Sequence, residues 1–267
     1  MRPTFGREYI EGEFQRIADG LSDPLTVYLI GGGAMSLRDL KAATKDIDLV
    51  VPDGDAYGQF WAVLMELEYS EVQSLDSDYR ALGATSCVEN DDGCRLDIFN
   101  QQVANKLVLT EGMVDRSEPF LETEPLTVRL VSSEDIFLFK LIAGRDDDIG
   151  DMNTLVQTGL DYGVVSTELE AQIDRLGDDR FATFANDALV DLDERYGVTT
   201  PIEDRVRELT TRYYRGLEVL QALDEPKTID ELAGDLELAV AEIRDRVAYL
   251  EEFDRVTREN QRINPTE

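Results

Sequence analysis

Residues 25–30, LTVYLI, form a short apolar run rich in β-branched side chains, and Gly31, Gly32 and Gly33 follow it directly. AMSLRDLKAA comes next and reads as a helix, and DIDLVV at 46–51 reads as a second strand closed by the turn signal PDGD. Strand, glycine turn, helix and acid-bearing strand in so short a stretch leave few architectures open. Side chains alternate along a strand, so Asp46 and Asp48 project from one face while Ile47 and Leu49 pack into the core. Two carboxylates side by side repel and raise each other's pKa unless a cation neutralises them. With no Cys or His nearby, such hard oxygen ligands favour Mg²⁺ or Mn²⁺ over zinc.

Asp97 in RLDIF has the same form, an outward acid between inward Leu96 and Ile98. A third acid beside the first two suits a pair of ions roughly 4 Å apart, the arrangement used for in-line phosphoryl or nucleotidyl displacement. The glycine turn fits that chemistry, because bare backbone N–H groups at the start of a helix approach phosphate closely. The chain contains no His at all, so proton transfer and metal binding fall to carboxylates, Lys, Tyr or water.

The rest of the chain follows a mixed pattern. Residues 5–20 have helical spacing, and 55–67 form another helix. RALGATSCVE and CRLDIF, joined through NDDG, read as an antiparallel hairpin, with Cys87 and Cys94 as small, partly buried side chains in a reducing cytoplasm. A last strand is expected at 126–132, then a helix started by Ser132 with Asp135 three residues on. From there to about residue 222 the pattern is helical. The fold class is therefore α+β: a mixed sheet with flanking helices, then a helical region.

LIGGGAMSLRDLKAATKDIDLVV resembles the signature of the DNA polymerase β-like nucleotidyltransferase superfamily. It is most similar to the prokaryotic branch containing abortive-infection and toxin–antitoxin nucleotidyltransferases. In that pattern a Gly-Gly with a small residue precedes a helix and then T-x-D-I-D-L, matched here by Gly31, Gly32, Ala34, Thr44, Asp46, Ile47, Asp48 and Leu49. The resemblance covers roughly residues 25–155 and implies Asp46 and Asp48 as metal ligands with Asp97 as third carboxylate. The usual serine after the glycine pair is replaced by Gly33 or Ala34.

A second cluster lies in SSEDIFLFKLIAGRDDDIGDM. On one helix starting near Ser133, Lys140, Gly144, Asp147 or Asp148, and Asp151 recur along one side. They read either as an ordinary ion-pair set or as a site: Lys140 over the triphosphate with Arg145 beside it, and Asp148 or Asp151 near the acceptor. The family's toxins place a Lys and an Asp in comparable helices. Between the glycines and the acids, Arg38 and Asp39 read as a local ion pair, accompanied by Lys41 and Lys45.

Residues 226–258 resemble a winged helix-turn-helix segment, with Thr228 as a cap, a turn at Ala239–Val240 and RVTREN entering the wing. Arg244 and Arg246 would lie near the groove-facing helix, where Arg meets phosphates or base edges, although Asp254 stands where a glycine is usual. Three domains are expected: a nucleotidyltransferase-fold catalytic domain at 1–131, a helical domain at 132–222 and a winged-helix-like domain at 223–267.

The formal charge of −31 is spread over the whole length, and most basic residues are Arg. Such a spread suggests adaptation to high salt, where repulsion among surface carboxylates is screened, and hence a halophilic, haloarchaeal-like protein. No apolar run approaches the roughly 20 residues that cross a bilayer, and no signal peptide is evident, so a cytoplasmic location without membrane contact is expected.

These features predict an enzyme that moves a nucleoside monophosphate from an NTP such as ATP to an RNA, protein or small-molecule acceptor, as a candidate toxin–antitoxin component. A resistance enzyme of the aminoglycoside nucleotidyltransferase type is a weaker variant. The alternative is a non-catalytic, DNA-binding regulator on the same fold. A dimer is compatible with either.

Overall fold

The computed structural model describes residues 2–72, 83–103 and 106–266. The chain divides into two compact units, Met1–Glu168 and Leu169–Glu267.

The first unit is built on the strands that sequence alternation anticipates. β1 (Leu25–Ile30) and β2 (Asp46–Val51) pair antiparallel, and β5 (Arg95–Asn100) lies parallel to β2 on its other side. With β3 (Ser70–Glu71), β4 (Ser86–Glu89), β8 (Glu118–Glu122) and β9 (Leu126–Leu130) they form a mixed sheet in the order β3-β4-β5-β2-β1-β9-β8. A separate ribbon joins β6 (Gln102–Val103) to β7 (Leu107–Val108). The β4–β5 hairpin turns through Asn90–Gly93, and Cys87 and Cys94 are both buried and free. Residues 80–82 of the expected first hairpin strand lie outside the described residues.

Helices cover the sheet. α1 (Arg7–Gly20) buries Ile10, Phe14 and Ile17, and α3 (Gly54–Glu66) is capped by Asp53, whose side chain accepts from the Ala56 N–H. α4 (Glu111–Arg116) is a short connector. α5 (Ser133–Ala143) starts at Ser132, which accepts from the Asp135 N–H, and buries nearly its whole circumference, including Ile136, Phe137, Leu138 and Leu141. Each such side chain stabilises the fold by about 1.5–3 kcal/mol, which makes α5 a fixed post beside the sheet.

Two expectations fail locally. The helix after β1 is α2 (Gly31–Leu37), which stops well short of residue 43. Arg38 donates to the Val131 carbonyl at 2.8 Å and pairs with Glu118, so the chain is drawn to the sheet, and Asp39 takes a left-handed φ of 60°. The expected Arg38–Asp39 pair is therefore replaced by partners on β8 and just past the end of β9. The single helix expected from Ser133 through Asp151 is two helices, because Gly144 adopts φ 60° and ends α5. α6 (Asp146–Val156) then begins with three aspartates, which suit the positive end of a helix dipole.

The second unit carries most of α7 (Tyr162–Leu176), then α8 (Phe181–Tyr196) and the long α9 (Glu203–Ala222). β10 (Lys227–Thr228), α10 (Ile229–Asp235), α11 (Val240–Glu252), β11 (Val256–Glu259) and β12 (Arg262–Pro265) follow, with sheet order β10-β12-β11. Thr228 caps α10 as anticipated, reciprocally with Glu231. Leu232, Ile243, Val247, Leu250, Val256 and Ile263 form a small core. Asp254, Asn260 and Gln261 take positive φ in place of the expected glycine. Among the described residues no helix is long and apolar enough to cross a membrane.

Candidate active site

β2 and β5 run parallel in a register that pairs Asp46 with Arg95 and Asp48 with Asp97. Asp48 and Asp97 are therefore neighbours across adjacent strands on one face of the sheet. Ile47 and Leu49, between and beyond the β2 acids, are buried as alternation requires. Asp97 is only 1% exposed, and both its carboxylate oxygens lack a conventional hydrogen-bond partner. The Cys87 thiol, opposite Asp97 on β4, is a weak donor directed at it.

Burial is the main reason the Asp97 carboxyl titrates high, at about 6; the Cys87 contact opposes this, Asp46 adds repulsion, and Arg95 and Arg2 ease it. Asp48 is pushed up further, to about 7, first by burial and then by repulsion from Asp97 and Asp46, eased by the fields of Lys140 and Arg145. Asp48 and Asp97 thus each carry a carboxyl raised by burial and by neighbouring carboxylates, and Asp97 has only the weak Cys87 thiol directed at its buried oxygens.

Asp46 is held differently. Arg2, from the segment before α1, forms a close ion pair with its carboxylate and also donates to the Lys45 carbonyl. Thr44 fixes the entry to β2 by donating its hydroxyl to the Asp46 carbonyl at 2.7 Å. Among the described residues no group of three or more His, Cys, Asp or Glu side chains is gathered so as to hold a metal ion unaided. A half-buried Asp48 beside a buried Asp97 whose oxygens lack a conventional partner nonetheless fits Mg²⁺ or Mn²⁺, since such ions are commonly held by one or two carboxylates with water and substrate phosphate completing the shell.

The glycine turn lies against this pair. Ile30, which ends β1, is in register with Asp48. Gly31 has φ 61°, and a Cβ there would collide with the Asp48 carboxylate, so glycine is required both for the backbone angle and for the approach of the acid. A Cβ on Gly32 would stand 3.1 Å from the Thr44 hydroxyl and 3.8 Å from Lys41 Nζ, whereas Gly33 has ordinary space.

The second cluster comes together through the α5–α6 turn instead of along one helix. Lys140 on α5 is 5% exposed and pairs with Asp148 at 2.8 Å and Asp151 at 2.7 Å, both on α6. Arg145 pairs with Asp148 at 2.7 Å. Asp148 is held below the usual carboxylate range because these cations outweigh its burial. Lys41, from the loop after α2, reaches Asp151 at 3.0 Å and so ties the cluster to the glycine turn.

Sequence reasoning anticipated the acids, the glycines and the Lys140 group, but assigned no role to Arg2, Lys41, Cys87 or Arg95. Lys41 carried a signal, as a scarce lysine between the glycines and the acids; Arg2 carried none, because its contact spans 44 residues. In the second unit Arg246 is buried against Glu218 and Glu242, while Arg244 is exposed.

A family model described as a nucleotidyltransferase of unknown function (DUF6036) matches residues 11–193, a span that includes the glycine turn, all three acids and the Lys140 cluster. None of the curated proteins matches the chain.

Proposed function

The chain belongs to this family of nucleotidyltransferases of unknown function, and from that premise we propose that it transfers a nucleoside monophosphate from an NTP to an acceptor at the Asp48–Asp97 pair. The observation that carries the proposal is this carboxylate pair, in which the buried Asp97 oxygens lack a conventional hydrogen-bond partner and Asp48 is set against Gly31.

Asp48 and Asp97, with Asp46 once it is released from Arg2, would hold Mg²⁺ or Mn²⁺. The cation, when bound, supplies charge neutralisation at the reacting phosphate. The backbone N–H groups of Gly31, Gly32 and Gly33 would meet phosphate oxygens beside the acids. Lys140 and Arg145 contribute positive field, as their effect on Asp48 attests, and fix Asp148 and Asp151 on the side where an acceptor would enter. Asp97 would complete the site and help activate the acceptor hydroxyl.

The acceptor class (RNA, protein or small molecule) is carried forward as part of the proposal, as is the toxin–antitoxin role. The charge of −31 supports function in high salt. In the second unit the α10–α11 pair, preceded by β10 and followed by the β11–β12 hairpin in one three-stranded sheet, supports a winged-helix-like reading, with exposed Arg244 as its candidate DNA contact. Incubation with labelled NTPs and Mg²⁺ in high salt, comparing wild type with Asp48→Ala, tests the reaction. Label must move in wild type and not in the variant. Absence of transfer from every NTP in wild type contradicts it.

A further inference from the structure

Lys41 and Lys140 share one carboxylate. Asp151 meets Lys41 Nζ through Oδ1 at 3.0 Å and Lys140 Nζ through Oδ2 at 2.7 Å. The two lysines differ in what they can do next. Lys140 is buried and also holds Asp148, so moving it would strip two acids of a partner inside the protein, a costly event. Lys41 has a side chain 39% exposed, and its departure leaves Asp151 still paired with Lys140. A partly exposed ion pair of this kind adds little to stability, so Lys41 can exchange partners at small cost.

Its position gives that freedom a purpose. Lys41 Nζ lies 3.8 Å from where a Gly32 side chain would begin, and the adjacent Gly31 is packed on Asp48. An ammonium thus stands beside Gly32, one residue along the turn from the glycine packed on Asp48. The Asp48–Asp97 side repels a polyphosphate unless cations are present, while Lys41 attracts it. We propose that Lys41 is the mobile cation of the site, turning from Asp151 to grip the β- and γ-phosphates of the incoming nucleotide while Lys140 keeps Asp151 in place. The proposal rests on the nucleotidyltransferase reading and assigns the polyphosphate-binding role to a residue outside the Lys140 group.

Titration calorimetry with inorganic tripolyphosphate and with a nucleoside monophosphate, in Mg²⁺ and high salt, tests it without requiring turnover. Wild type should bind tripolyphosphate. Lys41→Gln should weaken that binding about tenfold or more, the loss of one charge-assisted contact, and Lys41→Arg should recover most of it. Monophosphate affinity and thermal unfolding should be unchanged in Lys41→Gln, which a purely structural Lys41–Asp151 pair would not produce. Equal tripolyphosphate affinity in wild type and Lys41→Gln, or no binding by wild type, overturns the assignment. Failure of wild type to transfer label, with the tripolyphosphate difference intact, would instead count against the transfer reaction alone.

Discussion

Asp48 on β2 and Asp97 on β5 stand at the same step of a parallel strand pair, and the Asp97 carboxylate is buried with only the Cys87 thiol, a weak donor, directed at it. A fold that keeps such a pair sacrifices stability at that point. Unpaired buried carboxylates are retained where a cation relieves them, and the consequences for pH, mutation and metal binding follow from that arrangement.

In the metal-free protein both acids titrate above the ordinary carboxylate range, at about 6 for Asp97 and about 7 for Asp48. The folded state therefore holds protons that the unfolded chain has already released. That advantage is complete below about pH 4 and is lost as pH rises through 6 to 7, so stability declines across this window. Asp97→Asn removes the buried charge and should stabilise the metal-free protein at pH 8 by on the order of 1–2 kcal/mol, with little gain at pH 4. Thermal unfolding in chelator at the two pH values is the measurement. A variant no more stable than wild type at pH 8 would contradict the burial argument.

Gly31 and Gly33 should respond oppositely to the same substitution. Gly31→Ala places a side chain at φ 61° and against the Asp48 carboxylate. The backbone strain costs about 1–2 kcal/mol. Displacement of the acid should lower transfer about 100-fold, since misplacement by an ångström has that effect. Gly33→Ala meets its nearest atom, the Ile47 Cα, at an ordinary 3.6 Å and should keep activity and stability. Equal loss in both variants would show that the turn is merely sensitive to bulk.

In the second unit, Arg246→Ala should destabilise by about 1–3 kcal/mol, because its buried guanidinium bonds Glu218, Glu242 and the Arg215 carbonyl. Arg244→Ala, at an exposed position, should change stability by less than about 0.5 kcal/mol while weakening DNA retention if the unit binds DNA. Urea unfolding separates the two effects from each other.

Much of the site was legible in the sequence because strand alternation is a local rule. DIDLVV and RLDIF declare which side chains share a face, and the observed register brings those faces together. The helical pattern across Gly144 misled in form but not in outcome. Spacing of three and four put Lys140, Asp148 and Asp151 on one helix side, and the left-handed Gly144 instead folds α6 back so that the same groups meet across a turn. Helix propensity also favoured continuation past Leu37, where tertiary partners of Arg38 win. The Arg2–Asp46 pair and the Lys41–Asp151 pair had no local signal, since they join segments 44 and 110 residues apart.

The most direct test of the carboxylate pair as a cation site is a Mn²⁺ titration followed by electron paramagnetic resonance, on wild type, Asp48→Asn and Asp97→Asn at pH 8. Wild type should remove Mn²⁺ from the free-ion signal, and each variant should bind about tenfold more weakly or worse, as expected for loss of a ligand. Variants that bind Mn²⁺ as tightly as wild type, or a wild type that leaves the free-ion signal unchanged, would contradict the assignment.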